Sequence, residues 1–367
     1  MEIVFLANAA SVHTVKWVNA LADRGHIVHL IYKGDDMPTE NTINKEVICH
    51  SLQYTGIKGY FFNAPQLKKI CRSIQPDLIN AHYASGYGML ARLAKLKPLL
   101  LSVWGSDVYD FPYQSALKMQ MLKKNLRFAD AVSSSSYAMK KQVQKLIGEE
   151  KEIHVIPFGI DTQLFSRRQN NINRENFVIG NIKSLQPVYA IDDLLRAFHY
   201  LCTKLESEGY FEVVQKLQLK IYGDGEEKEN LLALAKSLQI EDKTFFMGKI
   251  PNSSVPAALE DIDIFCATSL QESFGVALLE AMAMEVPVVA TNTEGFAEII
   301  ESGKDGIIVA AEDIEAIANA LATLISDKRM RTKFGNEGRK KVLQCYDFCK
   351  NVEDMIKLYG KMSNDNF

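Results

Sequence analysis

Short apolar runs alternate with longer amphipathic stretches along this chain of 367 residues, and the rhythm runs through twice. No other feature restricts the fold as strongly. Residues 2–7 (Glu-Ile-Val-Phe-Leu-Ala) form an apolar run without polar alternation, which predicts a strand covered on both faces. A helix is expected over 12–24, stopped by Gly25 in a left-handed cap, with the next strand at 26–32. A strand–helix–strand opening implies a parallel sheet with right-handed crossovers. Further apolar runs at 78–81, 99–103, 131–133 and 154–156 complete one doubly wound α/β domain. Residues 167–176 are polar and aperiodic, as expected of a linker. The pattern then restarts. Strands are expected at 177–182, 217–222, 244–247, 262–267, 286–291 and 306–309. Helices are expected over 191–205, 226–238, 255–260 and 313–325, with a further start in 295–301 and two last helices over 330–342 and 350–361. The halves show no sequence repeat, so they share architecture alone. Ligands of such sheets sit beyond the carboxyl ends of the strands, and the residues singled out below lie in loops of that kind.

Composition narrows the class. Hydrophobic residues make up 47% of the chain and charged residues 24%, as in a soluble globular protein. No apolar run approaches the roughly 18 residues of a membrane span. The start runs directly into the first strand with no basic segment, so no signal peptide is expected. The six cysteines are scattered; Cys345 and Cys349 are one helical turn apart, but no histidine or cysteine cluster joins them, so idle thiols in a reducing cytoplasmic compartment are expected. The net charge of −3 is unevenly divided, +5 over 1–165 and −8 over 166–367. Lys118, Lys123, Lys124, Arg127, Lys140, Lys141 and Lys145 lie in an amphipathic helical region. That surface fits either an anionic lipid surface or a solvated helix face, and it is too sparse for nucleic acid.

The chemistry concentrates in 271–290, where Glu272 and Glu280 bracket a Ser-Phe-Gly turn and an otherwise apolar stretch. Ser273 is a good N-cap. On that start the helix is buried, and Glu280 lies two turns in, roughly 10 Å at 1.5 Å per residue. A carboxylate there needs a partner, while amides at a helix start attract an anion. A phosphate at the helix start and a pair of sugar hydroxyls at Glu280 meet both needs, as a bound nucleotide would. Asp261-Ile262-Asp263 is an Asp-x-Asp, but it stands at a helix-to-strand junction, where the carboxylates are expected to cap or turn and Ile262 and Ile264 to enter the sheet.

This segment, followed by Pro287-Val288-Val289-Ala290-Thr291, resembles the donor site of the retaining glycosyltransferases of family 4, which have the GT-B fold. Further likeness covers nearly the whole chain: Ile156-Pro157-Phe158-Gly159-Ile160-Asp161 with Phe165, Gly223-Asp224-Gly225-Glu226, Glu294-Gly295-Phe296-Ala297-Glu298, Asp77-Leu78-Ile79-Asn80-Ala81-His82, and Ser102-Val103-Trp104-Gly105-Ser106-Asp107. The resemblance implies two Rossmann-like domains facing across a cleft, 1–166 for the acceptor and 167–345 for the donor, with a last helix of about 346–367 packing back on the first. It implies Glu280 on the donor ribose and Glu272 near the transferred sugar, with Ser273, Phe274, Gly275, Val276, Gly223 and Gly225 around the nucleotide. It implies no metal and no cofactor beyond a nucleotide-sugar co-substrate, with UDP favoured by family frequency.

The chain also departs from the pattern. Where many members carry an arginine and a Lys-Gly in the loop after the first strand of the donor domain, it has Ser184 and Tyr189-Ala190. Lys183, the loop's one cation, is therefore expected to serve the diphosphate. A Gly-Gly loop is replaced by Asn8-Ala9-Ala10, and Trp104 stands where a histidine is frequent. His13, His82, Trp104 and Asp107 are the acceptor-side candidates. The expected activity is transfer of a sugar, with retention, to a hydroxyl of a glycan or lipid-linked saccharide in surface polysaccharide synthesis, at the inner face of the membrane. Two alternatives stand beside it: a nucleotide-sugar 2-epimerase on the same architecture, and a non-catalytic nucleotide-sugar binding subunit.

Overall fold

The computed structural model describes residues 1–38, 43–167 and 175–364. They divide into two compact units, Met1–Phe158 with Cys349–Phe367, and Gly159–Phe348. The first holds a seven-stranded parallel sheet of β1 (Glu2–Leu6), β2 (Ile27–Lys33), β3 (Ile48–Leu52), β4 (Leu78–His82), β5 (Leu99–Ser102), β6 (Ala131–Ser134) and β7 (Ile153–Val155), in the order β3-β2-β1-β4-β5-β6-β7. The second holds six parallel strands, β8 (Phe177–Ile182), β9 (Leu217–Tyr222), β10 (Thr244–Gly248), β11 (Ile264–Ala267), β12 (Val288–Thr291) and β13 (Ile307–Val309), in the order β10-β9-β8-β11-β12-β13. Every pairing is parallel, and each sheet is wound in both directions from its first strand. The order therefore reverses between β1 and β4, and again between β8 and β11. Such reversals splay the connecting loops apart and leave a crevice at the strand ends.

Burial follows the runs that marked the strands. Ile3 to Leu6, Leu99 to Leu101 and Ile264 to Cys266 are all at most 1% exposed. β3 is the strand the sequence pattern passes over. It lies at the sheet edge, and only Leu52 of its five residues is buried, so it carries no apolar run.

The unit boundary falls nearer the N-terminus than the 166/167 expected. Ile160 donates its amide to Tyr346 O at 2.7 Å and accepts from Phe348 N at 2.9 Å. The Thr162 hydroxyl meets Asp347 at 2.5 Å, and the Arg339 guanidinium reaches the carbonyls of Thr162 and Phe165. These bonds tie 159–165 to the second unit. The expected linker lies mostly outside the described residues. The helix Phe348–Asn364 belongs almost entirely to the first unit, where the buried Tyr359 hydroxyl accepts from Asn80 at 2.6 Å.

Candidate functional site

In the second unit the reversal point brings together two loops that are 89 residues apart in sequence. Lys183 leaves β8 and Glu272 follows β11, the two strands on either side of the reversal. Lys183 Nζ meets Glu272 Oε2 at 2.6 Å and lies 4.2 Å from the centroid of the Tyr189 ring. Both charged side chains are partly sheltered, Lys183 at 23% and Glu272 at 12% exposure. Shelter lowers the local dielectric and strengthens the pair relative to an exposed one. Tyr189 stands where the family pattern has lysine, and it holds the one cation of this loop by its ring face.

The Gly-Asp-Gly turn acts on the same loop. A Cβ on Gly223, whose φ is +149°, would come within 1.8 Å of Lys183 O, and one on Gly225 within 2.2 Å of Leu185 O. The turn and the Lys183 loop are stitched by Lys183 N to Tyr222 O at 2.9 Å and Leu185 N to Asp224 O at 3.0 Å. Space at these glycines is thus needed first for the chain's own backbone, which fixes where Lys183 projects.

The helix that follows differs from expectation at its start. It spans Val276–Ala283, its N-cap is Gly275 at φ +91°, and no side chain caps it. Ser273 lies outside it, because Gly275 makes a left-handed turn that a residue with a side chain resists. A Cβ there would also press Phe296 at 2.8 Å. Glu280 is consequently one turn into the helix, about 6 Å from its start, rather than two. Phe274, Leu278, Leu279 and Ala281 are buried, whereas Val276, Ala277 and Glu280 share a half-exposed face. An approaching ligand therefore finds the first turn and Glu280 on one side of the helix. The loop 272–274 is braced from behind, where Gly295 N donates to Glu272 O at 2.9 Å.

Ala190 occupies a left-handed conformation, φ 43° and ψ 51°, at the position where the family pattern has glycine. That conformation costs a non-glycine residue about 1–2 kcal/mol, partly offset by the greater unfolded-state freedom of glycine. Ala190→Gly is therefore expected to raise unfolding stability by about 0.5–1 kcal/mol, read as a shifted urea midpoint at unchanged slope. A lower midpoint would count against strain at this residue.

The first unit repeats the arrangement at its own reversal point. His13 follows β1, His82 ends β4 and Trp104 follows β5. Their rings cluster. His13 stacks on Phe158 with centroids 4.7 Å apart, and Trp104 stands edge-on to His82 at 4.9 Å and to His13 at 5.6 Å. His82 is 3% exposed, and both its ring nitrogens lack a hydrogen-bond partner among the described residues. Burial, reinforced by His13, lowers its pKa to about 3. Burial, reinforced by Lys16, lowers that of His13 to about 4. Both imidazoles are neutral at pH 7.

Asp107, grouped with them from the sequence, is placed differently. It is fully buried, and its oxygens accept from the amides of Ala84 at 2.7 Å, Trp104 at 3.0 Å and Gly105 at 2.9 Å. It shapes the loop that carries Trp104. A cavity of about 340 Å³ opens beside His82 and Trp104 and is also lined by Thr14, Tyr60, Tyr83 and Tyr87. The sequence gives no sign of these four, because Thr14 reads as a helix residue and the tyrosines as core.

In Asp261-Ile262-Asp263 the carboxylates, expected to cap or turn, reach neighbouring strands instead. Asp261 pairs with Lys220, Asp263 accepts from Val178 N at 2.9 Å, and Ile262 and Ile264 are fully buried.

Two Rossmann-like parallel-sheet domains, each with polar residues gathered at its reversal point, are the architecture of the GT-B fold. The family models named Glycosyl transferase 4-like and Glycosyl transferases group 1 match residues 2–136 and 162–341, and the chain belongs to this glycosyltransferase family. It is 24% identical over 365 residues to the N-acetyl-alpha-D-glucosaminyl L-malate synthase of Bacillus anthracis, covering 94% of this chain and 92% of that protein. It is 23% identical over 347 residues to the putative teichuronic acid biosynthesis glycosyltransferase TuaC of Bacillus subtilis, covering 89% and 84%. Among solved structures it shares the fold of Anabaena HepE, crystallised with UDP, with a TM-score of 0.79, 18% identity and coverage of 98% and 100%.

Proposed function

We propose that this glycosyltransferase is retaining and metal-independent. It takes its sugar from a nucleotide diphosphate sugar, UDP-sugar first among them, and passes it to a hydroxyl of a glycan or lipid-linked saccharide in surface polysaccharide synthesis. The observation that carries this reading is the Lys183–Glu272 pair at the β8/β11 reversal, beside a helix start that no side chain caps and with Glu280 one turn further on. Charge builds on the departing diphosphate as the glycosidic bond breaks, and preorganised positive groups there lower the barrier. Lys183 supplies the full charge, and the amides near Phe274, Gly275 and Val276 supply partial charge. Glu280 accepts from the ribose hydroxyls. Glu272 steers the ammonium and contacts the transferred sugar. Attack comes from the face the leaving group vacates, and the diphosphate takes the acceptor proton.

The polysaccharide setting is supported by the name of the TuaC relative and by the net +5 of residues 1–165, which suits a peripheral position at an anionic inner membrane face. No helix among the described residues is long and apolar enough to cross a membrane.

The reading is tested by titrating the protein with UDP, GDP and ADP while following thermal unfolding. A ligand at 100 times its dissociation constant adds about 2.7 kcal/mol of stability, and one nucleotide class is expected to do so. Glu280→Ala is expected to weaken binding of that nucleotide by about 1–3 kcal/mol by leaving ribose hydroxyls unpaired. Equal affinity in the folded variant would remove Glu280 from the site, and silence from all three nucleotides would overturn the donor reading.

A further inference from the structure

The cavity of the first unit has a chemical character that the family membership does not give. Its lining residues hold three buried polar atoms without a hydrogen-bond partner among the described residues, both ring nitrogens of His82 and the hydroxyl of the fully buried Thr14. Native structures leave few such atoms unmet, so three in one wall mark a place completed by something that enters. These atoms are shut from water. Trp104, half-exposed and edge-on to His82 at 4.9 Å, lines the same cavity.

The charges decide what can enter. Among the described residues no lysine or arginine lines the cavity, whereas the carboxylate of Asp36 does. The nearby Lys33 is buried and already engaged by Asp35 at 3.1 Å and by Asp36 at 3.5 Å, so this trio carries a net negative charge. His82, with its pKa lowered to about 3, adds no positive charge at neutral pH. A carboxylate or phosphate would thus meet a like charge with no compensating cation. Neutral imidazole also presents one N–H and one lone pair. An anionic oxygen only accepts and would leave the lone pair unmet, whereas a hydroxyl does both. The remaining wall is aromatic, with Tyr60, Tyr83 and Tyr87 beside Trp104, which offers flat apolar faces with polar rims. The volume of about 340 Å³ lies at the small end of the roughly 300–1,000 Å³ usual for ligand sites.

We infer that this cavity takes an uncharged, polyhydroxylated ring, a sugar or cyclitol unit of the acceptor, and rejects acceptors whose hydroxyl sits on a carboxylate- or phosphate-bearing small molecule. The inference rests on the glycosyltransferase reading above for the word acceptor. The chemistry of the cavity itself is independent of the donor.

Saturation-transfer NMR on the full chain tests it. The probes are methyl α-glucopyranoside, methyl α-mannopyranoside and myo-inositol on one side, and L-malate and glycerol 3-phosphate on the other, with UDP affinity measured on the same samples. At least one neutral ring is expected to show saturation transfer that Trp104→Ala and Tyr60→Ala reduce at least five-fold. The two anions are expected to show none. In these variants UDP affinity should stay within two-fold of the parent, which separates loss of the cavity from loss of the fold. Ser11→Arg, which places a cation at the rim, is expected to create a signal for the anions. Binding of an anion by the parent protein, or silence from all three rings, overturns the inference. Ring binding without any UDP binding would instead strike the donor reading and leave this one standing.

Discussion

Lys183→Met is expected to weaken UDP binding by about 10–100-fold, the 1.5–3 kcal/mol of a charge-assisted hydrogen bond, and to leave uridine binding unchanged. The contrast follows from where the ammonium is held. Lys183 leaves β8 in a loop locked against the Gly223 turn, and its charge is fixed between Glu272 and the Tyr189 face. On the proposed reading only a ligand carrying the diphosphate uses it. The effect on turnover should be larger, about 10²–10³-fold, as for loss of other preorganised groups aimed at a developing negative charge. Glu272→Gln gives the complementary result. On the proposed reading Glu272 and the diphosphate compete for the ammonium, so the variant should bind UDP at least as tightly as the parent while turnover falls. Calorimetry with UDP and uridine on the parent, both single variants and the double variant closes the cycle. Unchanged UDP affinity in Lys183→Met would show that the diphosphate charge is met by another group.

How much of this the sequence discloses depends on the range of the interactions. Twelve of the thirteen described strands announce themselves as apolar runs, the central ones because a parallel sheet covered on both faces admits little else. The edge strand β3 does not, since only Leu52 needs to be buried. The turn and helix of the Glu272–Glu280 segment are legible in the sequence because they are local. The location of the helix start is not, because Gly275, rather than Ser273, sets the turn against Phe296, which comes from a later element. Gly223 and Gly225 stand out in the sequence, but their purpose is tertiary: they make room for the carbonyls of Lys183 and Leu185. The cavity of the first unit escapes the sequence almost wholly. Thr14, Tyr60 and Tyr87 come from separate helices and gather only when the strand order reverses between β1 and β4. Asp107 illustrates the opposite error. A conspicuous acidic residue after a strand reads as chemistry, yet three backbone amides occupy it.

The aromatic cluster of the first unit should make this protein unusually sensitive to mild acid. His82 and His13 titrate near 6.5 in an unfolded chain, but burial lowers them to about 3 and about 4 in the folded one. Between those limits the unfolded chain binds more protons than the folded chain, so stability rises with pH. Their contribution is fully present above pH 6.5 and drains away as the pH falls toward 4. Each histidine contributes up to about 1.4 kcal/mol per pH unit in that window, or about 5 kcal/mol for the pair between pH 6.5 and 4.5. That is a large share of the 5–15 kcal/mol typical of a folded domain. Carboxylates titrate over part of the same range, so the informative quantity is the difference between parent and variant. Urea unfolding at pH 7.0 and 5.0 should show His82→Leu losing about 1.5–2 kcal/mol less than the parent on acidification, and the combined His13→Leu and His82→Leu variant less again. Because His13 helps depress His82, the two reductions should fall short of additive. An acid slope in His82→Leu equal to that of the parent would mean that the ring takes up its proton in the folded state as readily as in the unfolded one.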